Sequence, residues 1–322
     1  MSGLSAKGSQ GGPAPALTVG ITGASGLVGR ALTARLTAAG VRTVAFVRRE
    51  VRDPIREIAW DPAAGRLAVA DVKRLDALVH LAGEPIGEGR WTAARKRLMQ
   101  DSRVEGTRLV ARTLAALAGE DSRPRVLVQA SAIGLYGTSD GQDGSPALDE
   151  SAPVGRGFLA ELCEAWEAAT AGVEAAGHRL AIARIGIALS PHGGALARML
   201  PPFRAGLGGP LGSGRQVLSW IHLDDVASAL DFLLRTPVSG AFNLTAPTPV
   251  TQRDFARALG RALHRPAVLP APAAVLRLAL GEMADQLVLG GARVLPTRLQ
   301  AAGFRHEYPN LDAALAACLN VS

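Results

Sequence analysis

The chain is short of the residue types that do most enzymatic chemistry. It has two cysteines, two tyrosines and three lysines in 322 residues. Cys163 and Cys318 lie far apart with no metal or redox spacing. That excludes a zinc cluster, a thioredoxin-type motif and a disulfide framework, and it points to a reduced, cytoplasmic setting. No cluster of His, Cys and Asp has metal-ligand spacing, and no Gly-x-Ser-x-Gly elbow has triad partners, so neither metal nor acyl-transfer chemistry is expected. No uncharged apolar run reaches the roughly 20 residues that span a bilayer, and no membrane partner is expected. Basic blocks interleaved with aromatics are also absent. The net charge of +7 reads as compositional bias, because Arg outnumbers Lys 32 to 3 and acids stand among the arginines. No nucleic-acid partner is therefore expected. Residues 1–16 are mostly Ser, Gly, Ala and Pro, without the apolar core of a signal peptide, and read as a disordered tail.

What is present is an alternation of strands and helices. Leu17–Ile21, Val41–Val47, Glu57–Trp60, Ala77–Leu81, Arg125–Ala130 and Leu180–Ile185 read as buried strands. Between them, Leu27–Ala39, Thr92–Leu117 and Phe158–Ala176 carry apolar residues at helical spacing, with Gly40 and Gly177 as stops. The alternation predicts an α/β fold: a Rossmann-type doubly wound parallel sheet with a smaller, mainly helical C-terminal substrate or cap region. The dinucleotide-binding domain is expected over 17–190. Residues 217–246 return to it, and 191–216 with 247–322 form the substrate side.

The first strand runs into Thr22-Gly23-Ala24-Ser25-Gly26-Leu27-Val28-Gly29. With a strand before and a helix after, these glycines have the context of a dinucleotide site. Gly23 permits a tight turn, Gly26 lets the backbone approach a pyrophosphate, and Gly29 lets helix and strand pack closely. Ser25, Leu27 and Val28 complete the loop, and the helix N-terminus offers free N–H groups to the phosphates. Arg48-Arg49 follow the second strand, where an acid would bind the 2′-hydroxyl of NAD and an arginine favours the 2′-phosphate of NADP. NADP(H) is expected over NAD(H), although Glu50 and Asp53 lie close by.

These glycines, with His80-Leu81-Ala82-Gly83, resemble those of the extended short-chain dehydrogenase/reductases and sugar-nucleotide epimerases. Further runs resemble one atypical branch, epimerase-family proteins that end in a small domain of unknown function. They include Trp60-Asp61-Pro62, Asp101-Ser102-Arg103, Ser131-Ala132-Ile133-Gly134-Leu135-Tyr136-Gly137, Met199-Leu200-Pro201-Pro202-Phe203-Arg204, Trp220-Ile221-His222-Leu223-Asp224-Asp225 and Gly281-Glu282-Met283-Ala284. The resemblance implies a Rossmann core and NADP(H) binding, with Leu81, Ala82, Gly83 and Ala130 as further cofactor contacts. It does not imply a reaction. The parent superfamily works with a Tyr-x-x-x-Lys pair, and this chain has none. The two slots hold Phe158 and Leu162 or, in a shifted alignment, Leu159 and Cys163. An Asn of the parent falls at Arg103, a candidate substrate contact.

The candidate catalytic residues are Ser131, just past the fifth strand, and Tyr136, the phenol nearest to it in the chain. His222 with Asp224-Asp225 reads either as acid–base machinery or as a support capping a helix, the second being favoured. Arg215 and Gln216, in a stretch poor in acids, are candidates for a small anionic substrate. Two functions stay open: an NADP(H)-binding oxidoreductase or epimerase-like enzyme with an altered proton relay, and a non-catalytic NADP(H) sensor or scaffold. Either a monomer or a homodimer fits.

Overall fold

Four of the five residues of Thr18–Thr22 are β-branched, and all after Thr18 are buried. This composition suits a central strand, and the segment is β1. The computed structural model describes residues 17–118, 121, 123–138 and 146–320; the tail expected over 1–16 lies outside them. After β1 come α1 (Leu27–Ala38), β2 (Arg42–Val47), β3 (Glu57–Asp61), β4 (Arg66–Leu67), α2 (Val69–Lys73) and β5 (Ala77–His80). Then follow α3 (Ala93–Leu117), β6 (Val126–Ala132), α4 (Phe158–Ala168), β7 (Arg179–Ile185), β8 (Ile187–Leu189) and α5 (Gly194–Arg204). The remainder is β9 (Val217–Leu218), β10 (Trp220–His222), α6 (Leu223–Arg235), β11 (Gly240–Leu244), β12 (Val250–Thr251), α7 (Gln252–Ala262), α8 (Ala273–Leu280), α9 (Thr297–Ala301) and α10 (Leu311–Leu319).

The main sheet has the order β11-β7-β6-β5-β1-β2-β3-β4. Its pairs are parallel except for β3 with β4 at the edge. Strand order reverses between β1 and β5, so a crevice opens at their carboxyl ends. Leu32 and Leu36 of α1 and Leu230 and Leu233 of α6 build the core on one face. Leu109, Leu114 and Leu117 of α3 build it on the other. A third core gathers α5, α7 and α10 around Trp220, whose strand β10 pairs with β8 outside the main sheet. No helix among the described residues is long and apolar enough to cross a membrane.

The C-terminal region is held by side chains from residues 216–243 that reach its backbone. Gln216 Nε2 donates to the Val288 carbonyl, and Asn243 Nδ2 to that of Leu295. Ser219 Oγ donates to the Ala292 carbonyl and accepts from the Val294 amide. The Asp225 carboxylate accepts from the Glu307 and Tyr308 amides at 2.8 and 3.0 Å.

One element departs from the expectation. The helix expected to run from Phe158 to Ala176 stops at Ala168. The Thr170 hydroxyl bonds back to the Glu167 carbonyl, and Gly172 takes a φ of +90°, which no helical residue adopts.

Beneath the crevice, His80 couples β5 to β1. Thr22 Oγ1 accepts from the amides of Leu81 and Ala82, so its proton points to His80 Nδ1, 2.7 Å away. The imidazole is neutral, with its hydrogen on Nε2, and burial pushes its pKa down to about 3. A histidine held neutral in the fold contributes stability that is present above the unfolded value, near 6.5, and lost as the pH falls toward 3. Thermal unfolding followed between pH 8 and pH 4 will therefore show a smaller acid-induced drop in His80→Gln than in the native chain, each compared with its own value at pH 8. Equal drops would show that His80 carries none of the acid sensitivity.

Candidate nucleotide and active site

The crevice starts with the turn from β1 to α1. Gly23 has a φ of +67°, and a side chain there would meet the Leu81–Ala82 backbone at 3.0 Å. At Gly29 a Cβ would lie 2.2 Å from the Gly23 carbonyl oxygen, so the helix can pack only on a bare Cα. Gly26 differs: its Cβ would meet only that same oxygen, at 3.2 Å, and the space beyond is open. Gly26 is the N-cap of α1, with no side-chain cap and no acid in the first turn. The amides of Leu27 and Val28 thus lack intrahelical acceptors and side-chain substitutes. Ser25 is exposed at the mouth, its carbonyl held by Arg30. Open space above Gly26 and an uncapped positive helix end form a cradle that fits a pyrophosphate. Leu81, Ala82 and Gly83 line the neighbouring strand end, and Ala130 is buried beside it in β6.

The arginine pair after β2 is divided. Arg49 makes a two-pronged contact with Glu57, at 2.6 and 3.1 Å, and also donates to the Glu50 carbonyl. Its guanidinium holds the Glu57 carboxyl down to about 2. Arg48 is exposed and has no hydrogen bond or ion pair among the described residues.

On the substrate side the structure joins residues that are distant in the chain. Ser131 Oγ donates to Glu167 at 2.6 Å. Arg184, near the carboxyl end of β7, grips the same carboxylate with two bonds of 2.9 Å. Arg184 also donates to the Tyr136 hydroxyl at 2.9 Å, and that hydroxyl donates to Asn243 Oδ1 at 2.7 Å. Ser131 and Tyr136 are both buried and belong to one network through a Glu–Arg pair. The sequence reading missed Glu167 and Arg184 as site residues. Their signal was a single arginine in the apolar run Leu180–Ile185, since a cation in a buried strand requires a carboxylate partner.

Arg103 is buried on α3, with its guanidinium 5.0 Å from the Trp166 ring and against Gly83. It donates to the Met99 carbonyl, forms no ion pair among the described residues, and has its pKa lowered by burial. Cys163 is buried nearby, its thiol pushed up to about 11 by desolvation. Of the residues expected in the dyad slots, Phe158, Leu159 and Leu162 face an apolar wall, while Cys163 lies against Ser131. Leu159 and Leu162 pack with Trp91, Met99 and Met283, and Phe158 stands edge-on to Trp91 at 5.3 Å.

The remaining candidates lie elsewhere. Arg215 is exposed, while Gln216 is buried and spends its amide hydrogens on the carbonyls of Leu211 and Val288. His222 itself caps α6, accepting from the Asp224 amide, so the expected cap by Asp224 or Asp225 is not the one that forms. Among the described residues no group of three or more His, Cys, Asp or Glu side chains is placed to hold a metal ion.

Comparison with known proteins agrees with this fold. The NAD dependent epimerase/dehydratase family matches residues 19–245, from β1 to the end of β11. The chain belongs to that family. A domain of unknown function, DUF1731, matches residues 271–318. An epimerase family protein of Mycobacterium bovis is 42% identical over 298 residues, covering 92% of this chain and 96% of that protein. Human epimerase family protein SDR39U1 is 37% identical over 299 residues, covering 92% and 97%. The crystal structure of human SDR39U1 with NADPH superposes with a TM-score of 0.83 at 33% identity, covering 95% of this chain and all of that one. The UDP-glucose 4-epimerase of Thermus thermophilus in complex with NAD gives 0.70 at 18% identity, covering 94% and 98%, which shows the fold alone. The epimerase/dehydratase scaffold is therefore present with Glu167 and Arg184 beside the strand end.

Breaking a buried pair strands its partner. Arg184→Leu is expected to cost about 3–5 kcal/mol, or a melting temperature lower by very roughly 10 °C. Glu167→Leu combined with Arg184→Leu is expected to recover a large part of that loss in thermal unfolding. A double variant as unstable as the single one would show that the pair is not the source of the cost.

Proposed function

We propose that the chain is an NADP(H)-dependent oxidoreductase or epimerase-like enzyme of the extended short-chain dehydrogenase/reductase type, in which Ser131, oriented by Glu167 and Arg184, replaces the Tyr-Lys relay. The observation that carries this reading is the 2.6 Å hydrogen bond from Ser131 to a carboxylate already gripped by Arg184. Bound NADP(H) supplies the hydride donor or acceptor, and the chemistry of that step belongs to the cofactor. Gly26 and the α1 N-terminus hold the pyrophosphate, and Arg48 meets the 2′-phosphate with a guanidinium that no other described residue engages. NADPH in human SDR39U1 supports the same choice of cofactor here.

Ser131 directs its proton at Glu167, so the side of Oγ left to the substrate is an acceptor. It suits a substrate hydroxyl, the alcohol side of an oxidation, better than a carbonyl. Arg103 and Arg215 are the cations offered to an anionic substrate. The second reading, a non-catalytic NADP(H) sensor or scaffold, draws support from the burial of Ser131 and Tyr136 and from the apolar wall at the dyad slots. Identifying any co-purified nucleotide, and screening alcohols, carbonyls and sugar nucleotides at the nicotinamide absorbance band, separates the two.

Arg48→Ala is expected to weaken NADPH about ten- to a hundredfold, the loss of one charge-assisted contact, and to leave NADH unchanged. Arg49→Ala is expected to weaken NADPH less, because its fork already serves Glu57. Fluorescence titration of both nucleotides checks this, and equal NADPH and NADH affinity in the native chain would refute the cofactor assignment. Once a substrate is found, Ser131→Ala is expected to lower turnover at least tenfold, the scale of losing one hydrogen-bonding group at a reacting oxygen. Turnover retained in Ser131→Ala and lost in Tyr136→Phe would transfer the role to the phenol.

A further inference from the structure

The surface around the C-terminal end of α7 combines two features that rarely coincide in a monomer. Arg253, Arg257 and Arg261 recur every fourth residue along one exposed face of α7, and Arg265 continues the series just beyond it. Arg257, Arg261, His264 and Arg265 line an open concavity of about 710 Å³ together with Val268. Directly beside it stands bare aliphatic surface. Val268 is 73% exposed, Leu269 49% and Leu207 62%. The loop carrying Leu207 is stitched to the same strip: the Leu269 amide donates to the Gly208 carbonyl, and Arg265 Nε donates to that of Arg204. The strip leads into α8, which has no buried residue and exposes Val275 and Leu278.

The charge of this face is one-sided. Between Asp254 and Glu282 the chain has no acid and four arginines, and between Glu174 and Asp224 it has none either. The acids that do face the ladder are Asp254, 3.6 Å from Arg257, and Asp312, 2.7 Å from Arg261. Both pairs are exposed, so they are weak and readily opened.

We propose that this face is a peripheral docking surface for an anionic lipid bilayer, with Leu207, Val268 and Leu269 entering the interface and the α7 arginines on the headgroups. An apolar edge beside a basic stripe is the pattern by which proteins lie on charged membranes without spanning them. The surface does not suit the other occupants of like charge. A second copy docked face to face would set arginine ladder against arginine ladder. Single-stranded nucleic acid uses aromatic stacking platforms, and residues 256–281 contain no Phe, Tyr or Trp. The proposal departs from the expectation of no membrane partner, which rested on spanning segments alone, and it is independent of the cofactor assignment.

The full chain would be sedimented with phosphatidylcholine vesicles and with the same vesicles containing phosphatidylglycerol. Association only with the anionic vesicles, weakened by high salt, is expected. Arg257→Gln with Arg261→Gln should lower partitioning at least tenfold, at about fivefold per arginine. Val268→Ser with Leu269→Ser should lower it about tenfold as well. NADPH affinity and melting temperature are measured on both double variants, so a folding defect is recognised. Four results would overturn the proposal. They are no association with anionic vesicles, association unchanged in both folded double variants, preference for a single-stranded oligonucleotide over vesicles, and self-association of the native chain that Val268→Ser with Leu269→Ser abolishes.

Discussion

Arg184 stands near the carboxyl end of β7, where little of its side chain is exposed, and the carboxylate of Glu167 is what makes that tolerable. A cation of this kind cannot be left alone in a sheet covered on both faces; the desolvation cost has to be offset by hydrogen bonds of good geometry. The two-pronged contact to Glu167 meets that demand and fixes α4 against β7. Ser131, Tyr136 and Asn243 are then drawn in from β6, the turn after it and β11. These segments converge at the carboxyl edge of the sheet because one scarcely exposed charge needs satisfying.

The parts of the fold legible in the sequence are those with a local cause. The glycine turn, the run of parallel strands and the helices between them follow from periodicity and from residues such as Gly23 and Gly29, whose neighbours lie close in the chain or in the adjoining strand. What stayed illegible depends on partners far away. Glu167 reads as one of several acids on an amphipathic helix until Arg184 is folded beside it. Arg48 and Arg49 are indistinguishable as a dipeptide, and only the position of Glu57 on the adjacent strand separates a braced arginine from a free one. The stop of α4 turned on Gly172, a residue that an uninterrupted apolar pattern concealed.

The apolar wall at the dyad slots follows from the same logic of covering. Leu159 and Leu162 are buried by Trp91 and Met99 on one side and by Met283 on the other. Lys96 pairs with Glu282 at 2.5 Å across the same boundary and lies over the Phe158 ring. A contact between α3, α4 and the C-terminal region covers this face of α4. The polar groups around Ser131 meet the same helix at Cys163 and Glu167.

One set of the bonds that attach the C-terminal region runs toward its backbone. Gln216, Ser219, Asp225 and Asn243 each spend their side chains on main-chain groups between residues 288 and 308. Such bonds recognise the path of the partner segment without regard to its side chains. The path of the region is therefore set by these four residues, while its buried side chains, Val294, Leu299, Phe304 and Leu315 among them, close cores shared with the rest of the chain. A C-terminal segment transplanted from a relative would have to follow the same backbone course and also refill the space now closed by Val294, Leu299, Phe304 and Leu315.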